Sequence, residues 1–145
     1  MKVIAHYQAQ IQRILLTTAL SFGLALTGYS LAHAQVRQET NEHQVSYQTG
    51  GIGQEELDQL SQSAANYNTQ FSFANASDRA YLNNLQVRII NAQQELVFED
   101  NQVGPLLYLQ LTPGTYEISA TSNGVEKKLK FIAKDDTTLK EVITW

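Results

Sequence analysis

From Thr69 to the C-terminus the apolar residues of this chain recur at every second position, and that period limits what it can fold into. Phe71 and Phe73 alternate with Gln70 and Ser72, and Leu85, Val87 and Ile89 with Gln86 and Arg88. The same spacing runs through Leu96 and Phe98, then Leu107, Leu109 and Leu111, then Tyr116, Ile118 and Ala120, then Leu129 and Phe131. Leu139, Ile143 and Trp145 close the chain. A strand sends successive side chains to opposite faces, so each run describes a strand with one face on a core. Turn formers separate the runs: Asn75-Ala76-Ser77-Asp78, Asn91-Ala92-Gln93-Gln94, Asp100-Asn101, Thr112-Pro113-Gly114, Asn123-Gly124 and Lys134-Asp135-Asp136. Asn-Gly between alternating runs is the strongest short hairpin signal. About seven short strands at regular spacing predict an all-β sandwich, Ig-like in architecture.

One helix is expected ahead of the strands, from about Gln54 to Ala65. Gly53 serves as N-cap, and Glu56 at the third helical position can reach back to free backbone amides. Glu55, Glu56 and Asp58 crowd the first turn, where the helix dipole favours acids, and Leu57, Leu60 and Ala64 form a narrow apolar stripe. The stretch before it, residues 35–53, is rich in Gln, Glu, Thr, Asn and His and reads as a flexible polar arm. Val45 and Tyr47 alternate with polar neighbours there, so an added edge strand is the structured alternative. The domain proper is expected over residues 54–145.

The N-terminus carries the pattern of export. Lys2 and Arg13 precede the uncharged stretch Ile14 to Leu26, and Ala32-His33-Ala34 supplies the small-x-small exit. Residues 1–34 are expected to be a signal peptide cleaved between Ala34 and Gln35. Thr17, Thr18, Ser21, Thr27 and Ser30 dilute the apolar stretch below what a spanning helix needs, and no cationic stop follows Ala34. With no cysteine there is no lipid-bearing residue, and no stable membrane anchor is expected after cleavage. The remaining 111 residues keep all 14 acids and lose two of the ten Lys+Arg, a formal charge of −6. That sign argues against nucleic acid or an anionic membrane as partner. The expected location is the periplasm, with a secreted, extracellular site as alternative.

The segment Leu109-Gln110-Leu111-Thr112-Pro113-Gly114-Thr115-Tyr116-Glu117-Ile118-Ser119-Ala120 resembles the Leu-x-Pro-Gly-x-Tyr-x-Val-x-Ala stretch of carboxypeptidase regulatory-like domains, which are transthyretin-like (prealbumin-like) sandwiches. Leu85 to Phe98 resembles that family's strand–turn–strand, with Gln94 where a glycine is usual. Gly50-Gly51-Ile52-Gly53, Tyr67-Asn68, Ala80-Tyr81-Leu82, Gly104-Pro105 and the terminal Trp145 are similar to features of a set of small exported proteobacterial proteins. The resemblance implies a fold and export. It implies no activity, because the catalytic domain that such modules accompany in carboxypeptidases has no counterpart here.

Candidate chemistry is sparse. Nucleophilic catalysis needs an activating base, and His43, the one histidine after Ala34, lies in the polar arm. Zinc needs clustered His and Cys, which one histidine cannot supply. Glu99-Asp100-Asn101 and Asp135-Asp136 offer carboxylates to calcium but lack the spacing of a binding loop. Gly50 to Gly53 lacks the Lys-Ser/Thr of a phosphate loop. No cofactor, metal or catalytic residue is therefore expected, and the chain is not expected to be an enzyme. Interaction residues are expected instead at Tyr67, Tyr81 and Tyr108, since tyrosine offers large area at low entropy cost, and at Lys128 and Lys130 in the basic cluster with Lys127. The expected role is a non-catalytic binding or accessory module with a protein partner in the cell envelope. The alternatives are a surface-assembled structural subunit, its polar arm adding a strand to a neighbour, and an enzyme without a recognisable motif.

Overall fold

The computed structural model describes residues 35–145, and among these it places nine strands in two sheets. The order along the chain is β1 (Arg37–Thr40), β2 (Ser46–Gly50), α1 (Gln54–Ser63) with a 3-10 turn at Ala64–Asn66, and β3 (Thr69–Ala74). There follow β4 (Leu85–Asn91), β5 (Leu96–Val103), β6 (Leu106–Gln110), β7 (Gly114–Ser122), β8 (Val125–Ala133) and β9 (Leu139–Thr144). One sheet has the order β1-β2-β6-β3-β9, the other β5-β4-β7-β8. We call them sheets A and B. The signal-peptide expectation, residues 1–34 with Ala34 at the cut, lies outside the described residues.

The period-two reading places the core. Leu85, Val87 and Ile89 of β4, Phe71 and Phe73 of β3, Leu107 and Leu109 of β6 and Ile118 of β7 are fully buried in one cluster between the sheets. Rings span it: Phe71 meets Phe131 edge-on at 5.1 Å, and Tyr47 meets Phe98 at 4.9 Å. Asn123 and Gly124, both at positive φ (48° and 78°), form the two-residue loop between β7 and β8. Gln94 takes φ 64° in the β4–β5 turn, the left-handed position where the resembling family uses glycine. Tyr116 is buried beneath Pro113-Gly114, and its hydroxyl donates to the Thr112 carbonyl at 2.8 Å, the geometry of a tyrosine corner.

Three expectations need correction. The segment expected as a flexible arm, residues 35–53, supplies β1 and β2, which raises about seven strands to nine. Its polarity is no obstacle, because its buried groups are hydrogen-bonded. The Thr49 hydroxyl donates to the Leu106 carbonyl and accepts from the Gly104 amide, both at 2.9 Å. Gln48 Oε1 accepts from Ser63, and Tyr47 donates to Glu39. Asp100-Asn101, read as a turn, lies inside β5, where the pairing with β4 slips by one residue and the Gln102 amide donates to Asp100 Oδ1 at 2.8 Å. Short acceptor side chains suit a bulge as well as a turn. The helix starts at Gln54 as expected but ends at Ser63, its last turn tightening to 3-10 over Ala64–Asn66.

Side-chain bonds close both flanks of the sandwich. Arg37 of β1 reaches Asp100 of β5 at 2.6 Å, and Asn41 donates to the Val97 carbonyl at 2.7 Å. On the other flank β9 runs parallel to β3, and the Trp145 indole donates across to the Val125 carbonyl at 2.8 Å. Helix α1 covers part of the outer side of sheet A, with Leu60 fully buried and Leu57 and Leu106 meeting at Gly51.

Candidate functional site

The five side chains expected to form an interaction surface divide between the two outer faces. Tyr108 alternates with the inward Leu107 and Leu109, so it faces outward from sheet A, half-buried. Tyr67 follows the 3-10 turn, its ring 6.2 Å from that of Tyr108, and is only 4% exposed. It is packed against Tyr108 and is corrected from an accessible contact to a structural one. Burial pushes the phenols of Tyr67 and Tyr108 above their ordinary range, and nearby Tyr81 adds to the shift at Tyr108. Tyr81, bridged to Ala74, is the exposed member of the three.

Lys128 and Lys130 project from the opposite side. Leu129, Phe131 and Ala133 of β8 turn inward, so Lys128 and Lys130 stand on the outer face of sheet B. The register assembles their neighbours. Lys128 lies opposite Ser119, which lies opposite Arg88, which lies opposite Glu99. In the next row Lys130 faces Glu117, and Glu117 faces Ile90. Glu126 lies 3.4 Å from Lys128. Arg88, Glu99, Asn101, Ser119, Glu126 and Lys128 line a shallow trough of about 220 Å³, and the apolar Ile132 stands exposed farther along β8. Among the described residues no helix lies on this face. Sequence reasoning found the lysines by their alternation but missed Arg88, Glu99 and Glu117, which join them only through strand order and register.

A second polar site lies at the entry to α1. Glu56 is 4% exposed, and its Oε2 accepts from the amides of Gly51 at 2.7 Å and Ile52 at 2.8 Å. The expected reach of Glu56 to free amides is therefore seen, directed to the residues just before the cap. Its other oxygen, Oε1, is buried and has no hydrogen-bond partner among the described residues. Glu56 also lines a cleft of about 300 Å³, together with Gln35, Arg37, Gly50, Asn83, Asn84 and Gln102, among others. The Arg37 guanidinium is already committed to Asp100 and to the Gln102 carbonyl. Asp100, considered above as a calcium ligand, is thereby held in an ion pair.

His43 sits in the β1–β2 turn, 3.4 Å from Glu42. Among the described residues no three His, Cys, Asp or Glu side chains converge as a metal site, and no helix is long and apolar enough to cross a membrane. The arm that the structural-subunit alternative would lend to a neighbour is paired with β6 of its own sheet. No protein-family model matches the chain, and no curated protein matches its sequence.

Proposed function

We propose that this chain is exported, is cleaved between Ala34 and Gln35, and acts in the periplasm as a transthyretin-like, non-catalytic accessory module that binds a protein partner through the outer face of sheet B. The observation that carries the reading is the open charged ladder on that face. Arg88, Lys128 and Lys130 stand among Ser119, Thr121 and Gln86, with Glu99, Glu117 and Glu126 between them. Side chains held at strand spacing present fixed donors and acceptors, and exposed charges steer and orient a partner more than they hold it. With three cations and three acids interleaved, the face suits a partner whose own charges alternate in the complementary pattern. The tyrosine corner at Tyr116 supports the transthyretin-like assignment, and the export pattern of residues 1–34 supports the location.

The test is site-specific photocrosslinking in the periplasm of the native host, with the crosslinker placed at Ser119 in the ladder or at Tyr81 beyond sheet A. The expected result is one stoichiometric adduct from Ser119, lost on Lys128→Glu with Lys130→Glu, and none from Tyr81. The two lysines are exposed, so the double substitution should change stability by less than about 1 kcal/mol, and loss of the adduct would report binding. Adducts from Tyr81 alone, or adducts from Ser119 that survive the charge reversal, would overturn the assignment of this face.

A further inference from the structure

The cleft at the start of α1 holds half of an ion pair. Glu56 is held by the Gly51 and Ile52 amides through one oxygen, while Oε1 is buried without a partner among the described residues. A buried carboxylate oxygen in that condition carries a desolvation cost of kilocalories unless a donor meets it, and a cation meets it best. The other charged group on the lining, Arg37, is turned to Asp100 at 2.6 Å and to the Gln102 carbonyl, and Asn83, Asn84 and Gln102 are neutral. Cleavage after Ala34, as proposed above, would bring one more cation to this place. Gln35 lines the same cleft as Glu56. A Cβ built on Gly50 would meet Glu56 Oε2 at 3.0 Å and the Val36 Cα at 3.2 Å, so the backbone just after Gln35 runs alongside the carboxylate.

We infer that the α-ammonium of Gln35, created by cleavage after Ala34, docks in this cleft as the ion-pair partner of Glu56 Oε1. The inference rests on the cleavage proposed above. In the uncleaved chain the same nitrogen is a neutral amide, so removal of the leader converts a lone buried acceptor into a salt bridge. That bridge fastens the start of β1 to the entry of α1. It also protects the new terminus. A free N-terminal glutamine cyclises when its amine nitrogen attacks its own side-chain amide carbon, forming the lactam C–N bond and expelling ammonia. The protonated, paired amine has no lone pair for that attack.

The test begins with the intact mass of the full-length chain's product, recovered from the periplasm. A product that does not start at Gln35 would overturn the cleavage proposal and this inference with it. One that starts at Gln35 but is short by one ammonia would overturn the docking alone. For a free Gln35 terminus, the pH dependence of α-amine acylation gives its pKa. The expected value lies about one unit above the ordinary 7.7–8.0, a tenfold shift toward the ammonium, with cyclisation near neutral pH slowed by the same factor. Glu56→Gln should remove both effects. A glycine inserted between Ala34 and Gln35 leaves Glu56 intact but moves the amine one residue outward, and the amine pKa should return to the ordinary range. An ordinary amine pKa in the wild-type protein, or one unmoved by the insertion, would refute the docking.

Discussion

Replacing Tyr116 tests the packing of the sandwich at its most specific point. The ring is 6% exposed and stacks on Phe131 at 5.6 Å, with Gly114 directly against it. Its hydroxyl donates to the Thr112 carbonyl at 2.8 Å and meets the Thr112 hydroxyl at 2.9 Å. Tyr116→Ala removes both ring and hydroxyl. Truncating a buried ring costs about 3 kcal/mol even when the cavity relaxes in part, and the corner hydrogen bond adds about 1 kcal/mol, for a loss near 4 kcal/mol. Tyr116→Phe should lose only the second part, because Thr112 is exposed and its freed carbonyl can turn to water. With a urea slope of about 1.5 kcal/mol/M, the midpoint falls by roughly 2.7 M for alanine and 0.7 M for phenylalanine at unchanged slope. A loss below about 0.5 kcal/mol for alanine would mean that the ring is not in the core. Equal losses for the two variants would mean that the hydroxyl, not the ring, holds the corner.

Two further outcomes follow from the corrected segment. Burial first, then the hydrogen bond to Glu39 and the negative charges of Asp100 and Glu39, push the Tyr47 phenol up to about 12, with Arg37 opposing. The folded phenol therefore keeps its proton where the unfolded one, near 10, loses it, so this contribution is whole below about pH 10 and is lost as pH rises toward 12. Urea melts should show Tyr47→Phe losing about 2 kcal/mol less than wild type between those limits, and identical alkaline slopes would refute the burial of Tyr47. At Gly104 an added Cβ would sit 2.9 Å from the Cα and the carbonyl oxygen of Gly50, backbone against backbone with no side chain to move aside. Gly104→Ala should cost about 2 kcal/mol or more, a fall in Tm of roughly 10 °C, and a shift within about 2 °C would mean that β2 does not lie against the β5–β6 link.

The parts of this fold legible in the sequence are those whose cause is local. Leu85, Val87 and Ile89 alternate because β4 has one face on the core, and Asn123-Gly124 turns because both residues tolerate positive φ. Glu56 reads as an end-of-helix carboxylate for the same reason. What escaped local reading depends on distant partners. Thr49 is buried because Leu106 and Gly104 satisfy its hydroxyl, and Tyr47 because Phe98 of the other sheet receives its ring. No composition window reports such pairings, so a segment that builds two strands looks like a solvated arm. Tyr67 illustrates the reverse: an amphipathic side chain beside a turn looks available, and only its packing in the folded chain, against Tyr108, shows that it is covered. At the candidate interface the alternation of β8 assigns Lys128 and Lys130 to the outside, but their meeting with Arg88 and Glu117 is a property of register.

The different fates of the two outer faces follow from chain connectivity. Helix α1 lies between β2 and β3, both strands of sheet A, and short connections at each end leave it sheet A to pack against. The strands of sheet B are joined by links too short to carry a helix: Ala92 to Glu95 between β4 and β5, and Asn123-Gly124 between β7 and β8. Neither hairpin link of sheet B can fold back over its own outside, and the longer segment that leads into β4 forms no helix. That face must then tolerate water in the free protein, which explains the outward Gln86, Arg88, Ser119, Thr121 and Lys128. A face composed this way suits a partner that comes and goes, since its polar rows are satisfied by water when alone and by matched charges when bound. On sheet A, Leu106 is covered at α1, while Val142 of the edge strand β9 stays exposed. The connectivity thus leaves the outer face of sheet B without a helix over it, which is why the proposed partner contact is placed there.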